Sequence, residues 1–135
     1  MSRCRFVILV GMCCFSGMAL AASPLDGSWD VDFSTRDGEI RKAVVEIAGS
    51  EGTWTSIAQG GKEKRDPCVG RPFPLAVASA DPARIVLEVA FAKSMTGCKD
   101  RTVTGRLAGA GTVEGKLENG KPLRMIRRQE GRDGR

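Results

Sequence analysis

Strict alternation of apolar and polar side chains is the feature that most limits what this chain can fold into. It is clearest at Ile85, Leu87, Val89 and Phe91, which occupy every second position with Val86, Glu88 and Ala90 between them. A period of two places all four on one face of an extended strand, whereas a helix would scatter them around its circumference. Shorter runs repeat the pattern on both sides: Trp29, Val31 and Phe33; Ala43, Val45 and Ile47; Trp54 or Ile57; Leu75, Val77 and Ser79; Val103 and Leu107; Val113 and Leu117; Leu123 and Met125. Glycine, aspartate, asparagine and proline separate the runs at intervals of about ten residues, the rhythm of antiparallel strands joined by tight turns. Asn119-Gly120 is a strong two-residue hairpin signal, and Gly109-Ala110-Gly111 reads as another turn rather than as the start of a dinucleotide fingerprint, because its third glycine, Gly115, falls one place late. No window carries a helical stripe.

Eight such runs predict an all-β domain, a single antiparallel up-and-down barrel of about eight strands, since closure removes the exposed edges that invite aggregation. A two-sheet β-sandwich is the alternative. The inward face predicted from the alternation comprises Trp29, Val31, Phe33, Val45, Ile47, Ile57, Ile85, Leu87, Val89, Phe91, Val103, Leu107, Val113, Leu117, Leu123 and Met125. That set contains no polar handle, so it predicts a filled barrel ahead of a deep ligand cup.

The N-terminal end has its own logic. Arg3 and Arg5 precede an apolar run from Phe6 to Phe15, and Ala19-Leu20-Ala21 offers small residues at the two positions signal peptidase reads. The run is too short to span a bilayer. Residues 1–21 are therefore expected to be a cleaved export signal, residues 22–128 the barrel domain and residues 129–135 a flexible basic tail. The expected location is periplasmic or secreted, with no stable membrane insertion after cleavage. Cys4, Cys13 and Cys14 leave with the signal, so Cys68 and Cys98 remain as a pair in a compartment that favours disulfides.

Composition narrows the chemistry. The chain has no histidine and no tyrosine, which removes the usual nucleophile–base pairs and proton shuttles near neutral pH. No catalytic, metal or cofactor site is expected, and the protein reads as a non-enzyme. Asp30 and Asp32 share the outward face of the first strand, where a carboxylate pair has no cleft to work in. The formal net charge is +5, of which Arg3 and Arg5 supply two, and mixed signs run throughout, so nucleic acid is not an implied partner. Arg124, Arg127, Arg128, Arg132 and Arg135 read as a solvated basic end.

The longest irregular stretch runs from Gly60 to Pro72, too rich in Gly and Pro for a β-ladder. It carries Lys62, Lys64, Arg65 and Arg71, with Phe73 following, and a bond from Cys68 to Cys98 would pin it to the barrel rim. Cationic, partly apolar and anchored loops are where recognition is often placed. Trp54 is read either as core or as an exposed contact anchor. The expected function is a non-catalytic binding module that recognises a protein or glycan of the cell envelope through this rim, with inhibition of a secreted hydrolase as its sharpest form. The alternative is a carrier of a small apolar ligand in the barrel mouth.

Leu25-Asp26-Gly27-Ser28-Trp29 opens the first strand with Gly-x-Trp. This resembles the opening of lipocalins, avidin-like proteins and small bacterial periplasmic protease inhibitors, all eight-stranded barrels. The resemblance implies that Trp29 packs across one end of the barrel as a structural plug.

Overall fold

The computed structural model describes residues 23–61 and 63–129. Residues 1–22, which include the segment expected to be an export signal, lie outside the described residues, as do Lys62, one of the cations expected to contact a partner, and residues 130–135 of the expected tail. Eight strands follow in chain order: β1 (Gly27–Ser34), β2 (Ile40–Ala48), β3 (Glu51–Ile57), β4 (Pro72–Asp81), β5 (Arg84–Val89), β6 (Arg101–Gly109), β7 (Thr112–Leu117) and β8 (Pro122–Arg127). Each pairs antiparallel with its sequence neighbour, and β8 returns to β1, closing an up-and-down barrel. The closing seam runs from Trp29 opposite Arg127 to Phe33 opposite Leu123.

Alternation fills the interior. Trp29, Val31 and Phe33 of β1, Ala43, Val45 and Ile47 of β2, Ile85, Leu87 and Val89 of β5 and Leu123 and Met125 of β8 are all buried, and among the described residues no polar or charged residue is. Outward positions carry Asp30, Asp32, Lys42, Glu46, Glu88, Glu114 and Arg124.

Several expectations need correction. Trp54, not Ile57, occupies the inward register of β3: Trp54 is 1% exposed and Ile57 40%. Odd and even positions point to opposite faces, so only one of the two can face the core. Ser79 does not share the face of Leu75 and Val77, because the β4–β5 register shifts between Val77 and Ser79. An extra residue in one strand inverts the pleat, and it is Ala80 that packs against the core while the Ser79 hydroxyl donates to Arg84 O at 2.6 Å. Pro72 belongs to β4 rather than to the loop, and it pairs with Thr55 as Pro74 pairs with Thr53. Pro74 O accepts from Ala90 N at 2.9 Å, so its backbone polar edge faces away from β3 and its missing N–H removes no bond from that ladder.

Glycine makes the tight curvature possible at one place in particular. Gly105 and Gly115 face each other across β6 and β7. A Cβ on Gly115 would lie 2.4 Å from Thr104 O and one on Gly105 2.6 Å from Glu114 O, so the wall bends where neither residue has a side chain.

Candidate functional site: a stapled mouth opposite a sealed end

The two ends of the barrel differ sharply. At the β1 start, Trp29 is fully buried and its indole N–H donates to Leu25 O at 2.9 Å. The guanidinium of Arg127 lies over the ring, 4.4 Å from its centroid, and donates to the carbonyls of Asp26 and Pro24. One cation thus satisfies two carbonyls of the entry turn and covers the aromatic face, a combination of cation–π and charge-assisted bonding. Arg127 is therefore part of the lid over the sealed end and not of a solvated basic tail. Asp26 Oδ1 adds a bond from Gly49 N at 2.8 Å, tying the same turn to the β2–β3 hairpin.

The other end is open and is built from the two longest connections. The β3–β4 connection contains a 3-10 turn, Glu63–Arg65, and docks on the strand end through Gly70 N to Ser56 O at 2.8 Å. The β5–β6 connection coils after Phe91, whose carbonyl accepts from Met95 N at 3.0 Å. The Cys68–Cys98 disulfide joins the two, with a Cα–Cα distance of 5.8 Å across 30 positions of sequence. Cys98 is buried and Cys68 packs against the core, so the bond forms part of the wall.

Between these connections lies a cavity of about 250 Å³. Its apolar lining includes Phe33, Trp54, Phe91 and Leu117. Phe33 and Trp54 meet with ring centroids 5.5 Å apart in a tilted pair, and the Trp54 indole donates to Ser56 Oγ at 2.9 Å. Below them the barrel is filled; the recess is a cup above the core, not a deep calyx.

Its rim carries a group the alternation did not single out. Arg41 pairs directly with Phe33 and so has the inward parity of β2, at the point where the core ends. It is the polar handle missing from the predicted inward set. Glu63 Oε1 lies 3.5 Å from Arg41 Nε, and Glu39 lies 3.8 Å from Arg41 on its outer side. Glu63 is fixed from its other oxygen, which accepts from Gln59 N at 2.6 Å. Arg101, also inward in parity, is instead held by Glu118 at 3.0 Å.

The residues singled out on the long loop separate into two groups. Lys64, Arg65 and Arg71 are exposed at the rim. Phe73 is not on this surface: it is 1% exposed, and its ring lies 4.4 Å from that of Phe91 within the core. Trp54 likewise is no exposed anchor, although it lines the cup. Two exposed apolar side chains stand near this end: Ile40, at 65%, is not singled out by the sequence, and Ile57, at 40%, is the residue expected to face inward. Both are outward, Ile57 opposite Lys42 and Ile40 two residues along the same strand, so they flank one side of the mouth. Asp30 and Asp32 are exposed and lie beside Arg128 at 2.8 Å and Lys42 at 3.7 Å.

No protein-family model matches the chain, and no curated protein is similar to it. Among solved structures, it is similar to a redesigned β-barrel at 17% identity and a TM-score of 0.52, covering 80% of this chain and 94% of that one. A de novo designed fluorescence-activating β-barrel aligns at 19% identity and a TM-score of 0.46, over 81% of this chain and 97% of that one. At such identities the likeness concerns the closed eight-stranded barrel alone.

Proposed function

We propose that this protein is a non-catalytic, exported binding module that takes a small, largely apolar ligand in the cup at its disulfide-stapled end. The observation that carries this reading is the aromatic-floored recess walled by two connections locked to each other. Recognition sites are typically concave and mostly apolar, with a few placed polar groups, and an engineered cavity of about 150 Å³ already admits benzene. A preformed wall also lowers the ordering cost that binding would otherwise incur. The absence of histidine from the whole chain supports binding rather than turnover.

Native mass spectrometry of protein purified from its natural source tests it. The intact protein should carry a small-molecule adduct, and Val69→Trp, which fills the cup from its loop wall, should lose it. A bare wild-type protein whose cup also ignores apolar probes would contradict the reading.

A second reading keeps the protein or glycan partner and is favoured by a specific feature: Lys64, Arg65 and Arg71 are exposed on the rim that Ile40 and Ile57 flank. If it holds, charge reversal at the three cations removes a captured partner from an envelope extract. Unchanged capture argues against it.

A further inference from the structure

We infer that the ligand of the mouth is an acid: a small molecule with a flat apolar body and a single carboxylate, whose head is held by Arg41. This rests on the proposed function of the cup and adds the chemical class of its ligand. Among the described residues, Arg41 Nε is the buried side-chain polar atom that has no hydrogen-bond partner. Glu63 stands close enough to neutralise the guanidinium but at 3.5 Å makes no hydrogen bond to that nitrogen. A buried N–H without an acceptor is costly to retain, so native structures hold few of them, and each calls for an explanation.

The surroundings say what the missing acceptor is. Arg41 stands directly across from Phe33, at the boundary between the aromatic floor and the rim. Of the cations lining the cup, Lys42 is paired with Asp32 and Arg101 with Glu118, which leaves Arg41 and Lys99 against Glu63 and Asp66. Asp66 is turned to its own loop, accepting from Cys68 N at 2.8 Å. An anion entering the cup meets the unpartnered N–H of Arg41, and the planar fork of a guanidinium matches a carboxylate. The apolar body of the same molecule would lie over Phe33, Trp54 and Phe91. Glu63 acts as a placeholder: its attraction keeps the guanidinium over the cup when no ligand is bound.

Calorimetric titration with naphthoate and its uncharged near-isostere naphthylmethanol tests this, on wild type, Arg41→Gln, Arg41→Lys and Arg84→Gln. Arg84 is exposed at the far end of the barrel and controls for net charge. The expected result is that wild type and Arg84→Gln bind naphthoate roughly tenfold or more tighter than naphthylmethanol, the scale of a charge-assisted hydrogen bond. Arg41→Gln should bind the two alike, and Arg41→Lys should fall between. Equal affinity of wild type for both probes, or equal losses from Arg41→Gln and Arg84→Gln, overturns the inference while leaving the mouth as a binding site. Should Arg41→Gln fail to fold, Arg41→Lys and the wild-type probe comparison still decide the matter. No binding of either probe to wild type overturns the inference together with the reading of the cup on which it rests.

Discussion

At the scale of single residues, two positions bear more than their sequence neighbourhood suggests. Gly115 sits where a methyl group would meet the Thr104 carbonyl at 2.4 Å, an obstacle of backbone on both sides of the pair with Gly105. Gly115→Ala should therefore destabilise the barrel by about 2 kcal/mol, within the range of overpacked interiors, a fall of roughly 10 °C in melting temperature for a domain of this size. Gly60→Ala, with nothing within 4 Å, should leave the melting temperature unchanged and serves as the control. Arg127 is the second. Arg127→Gln removes the charge over Trp29 and shortens the reach to two carbonyls, and it should cost about 1 to 3 kcal/mol. Thermal melts measure the cost, and a red shift of tryptophan emission should accompany it as water reaches the Trp29 end. The Gly-x-Trp opening pointed to Trp29, whereas nothing around Arg127 in the sequence distinguished it from the arginines beside it. Its role depends on β8 ending next to the start of β1, a contact between residues 98 positions apart.

Among the elements, alternation made the strands legible and failed wherever something other than side-chain period set the register. Five of the inward faces, those of β1, β2, β5, β7 and β8, can be read directly from every second residue. In β3 the two large apolar side chains differ in parity, and only pairing with β2, which sets Trp54 opposite Val45, decides between them. In β4 a bulge inverts the pleat after Val77, and prolines that look like breakers are tolerated because their missing donors face away from β3. Arg41 escaped notice for a related reason: a charged residue one step beyond an apolar run looks like the end of a strand, although its parity is that of the core. The Cys68–Cys98 pairing was legible from the loss of the other three cysteines with the expected signal, and the structure places the bond across the two mouth connections. On a loop-entropy model, closing 30 positions restricts the unfolded chain by about 3 to 4 kcal/mol. Cys68→Ser with Cys98→Ser should lower stability by about that amount while far-UV circular dichroism keeps the β spectrum, since the ladders do not pass through the bond. Collapse of the β signal in the double variant at low temperature would show that the connections organise the barrel rather than cap it.

For the whole molecule, the central feature is that the two ends of the barrel are built differently. One end is closed by Trp29, Leu25 and Arg127, and the core is continuous from there to Phe33 and Trp54, where the cup begins. The fold class, strand count and filled interior follow from patterning in the sequence. The cup does not, because it arises from connections without periodicity that are brought together by a disulfide and by the register of Arg41 and Phe33. A protein organised in this way should bind at one end only, leaving the sealed end as it was. The protein contains two tryptophans, Trp29 and Trp54, one at each end, so its two indole N–H resonances report the ends separately. Titration of isotope-labelled wild-type protein with naphthoate, followed by the two indole cross-peaks in a nitrogen–proton correlation spectrum, therefore tests the account most directly. Progressive movement or broadening of the Trp54 peak with a stationary Trp29 peak is the predicted result. Movement of the Trp29 peak alone, or of neither at saturating probe, would contradict it.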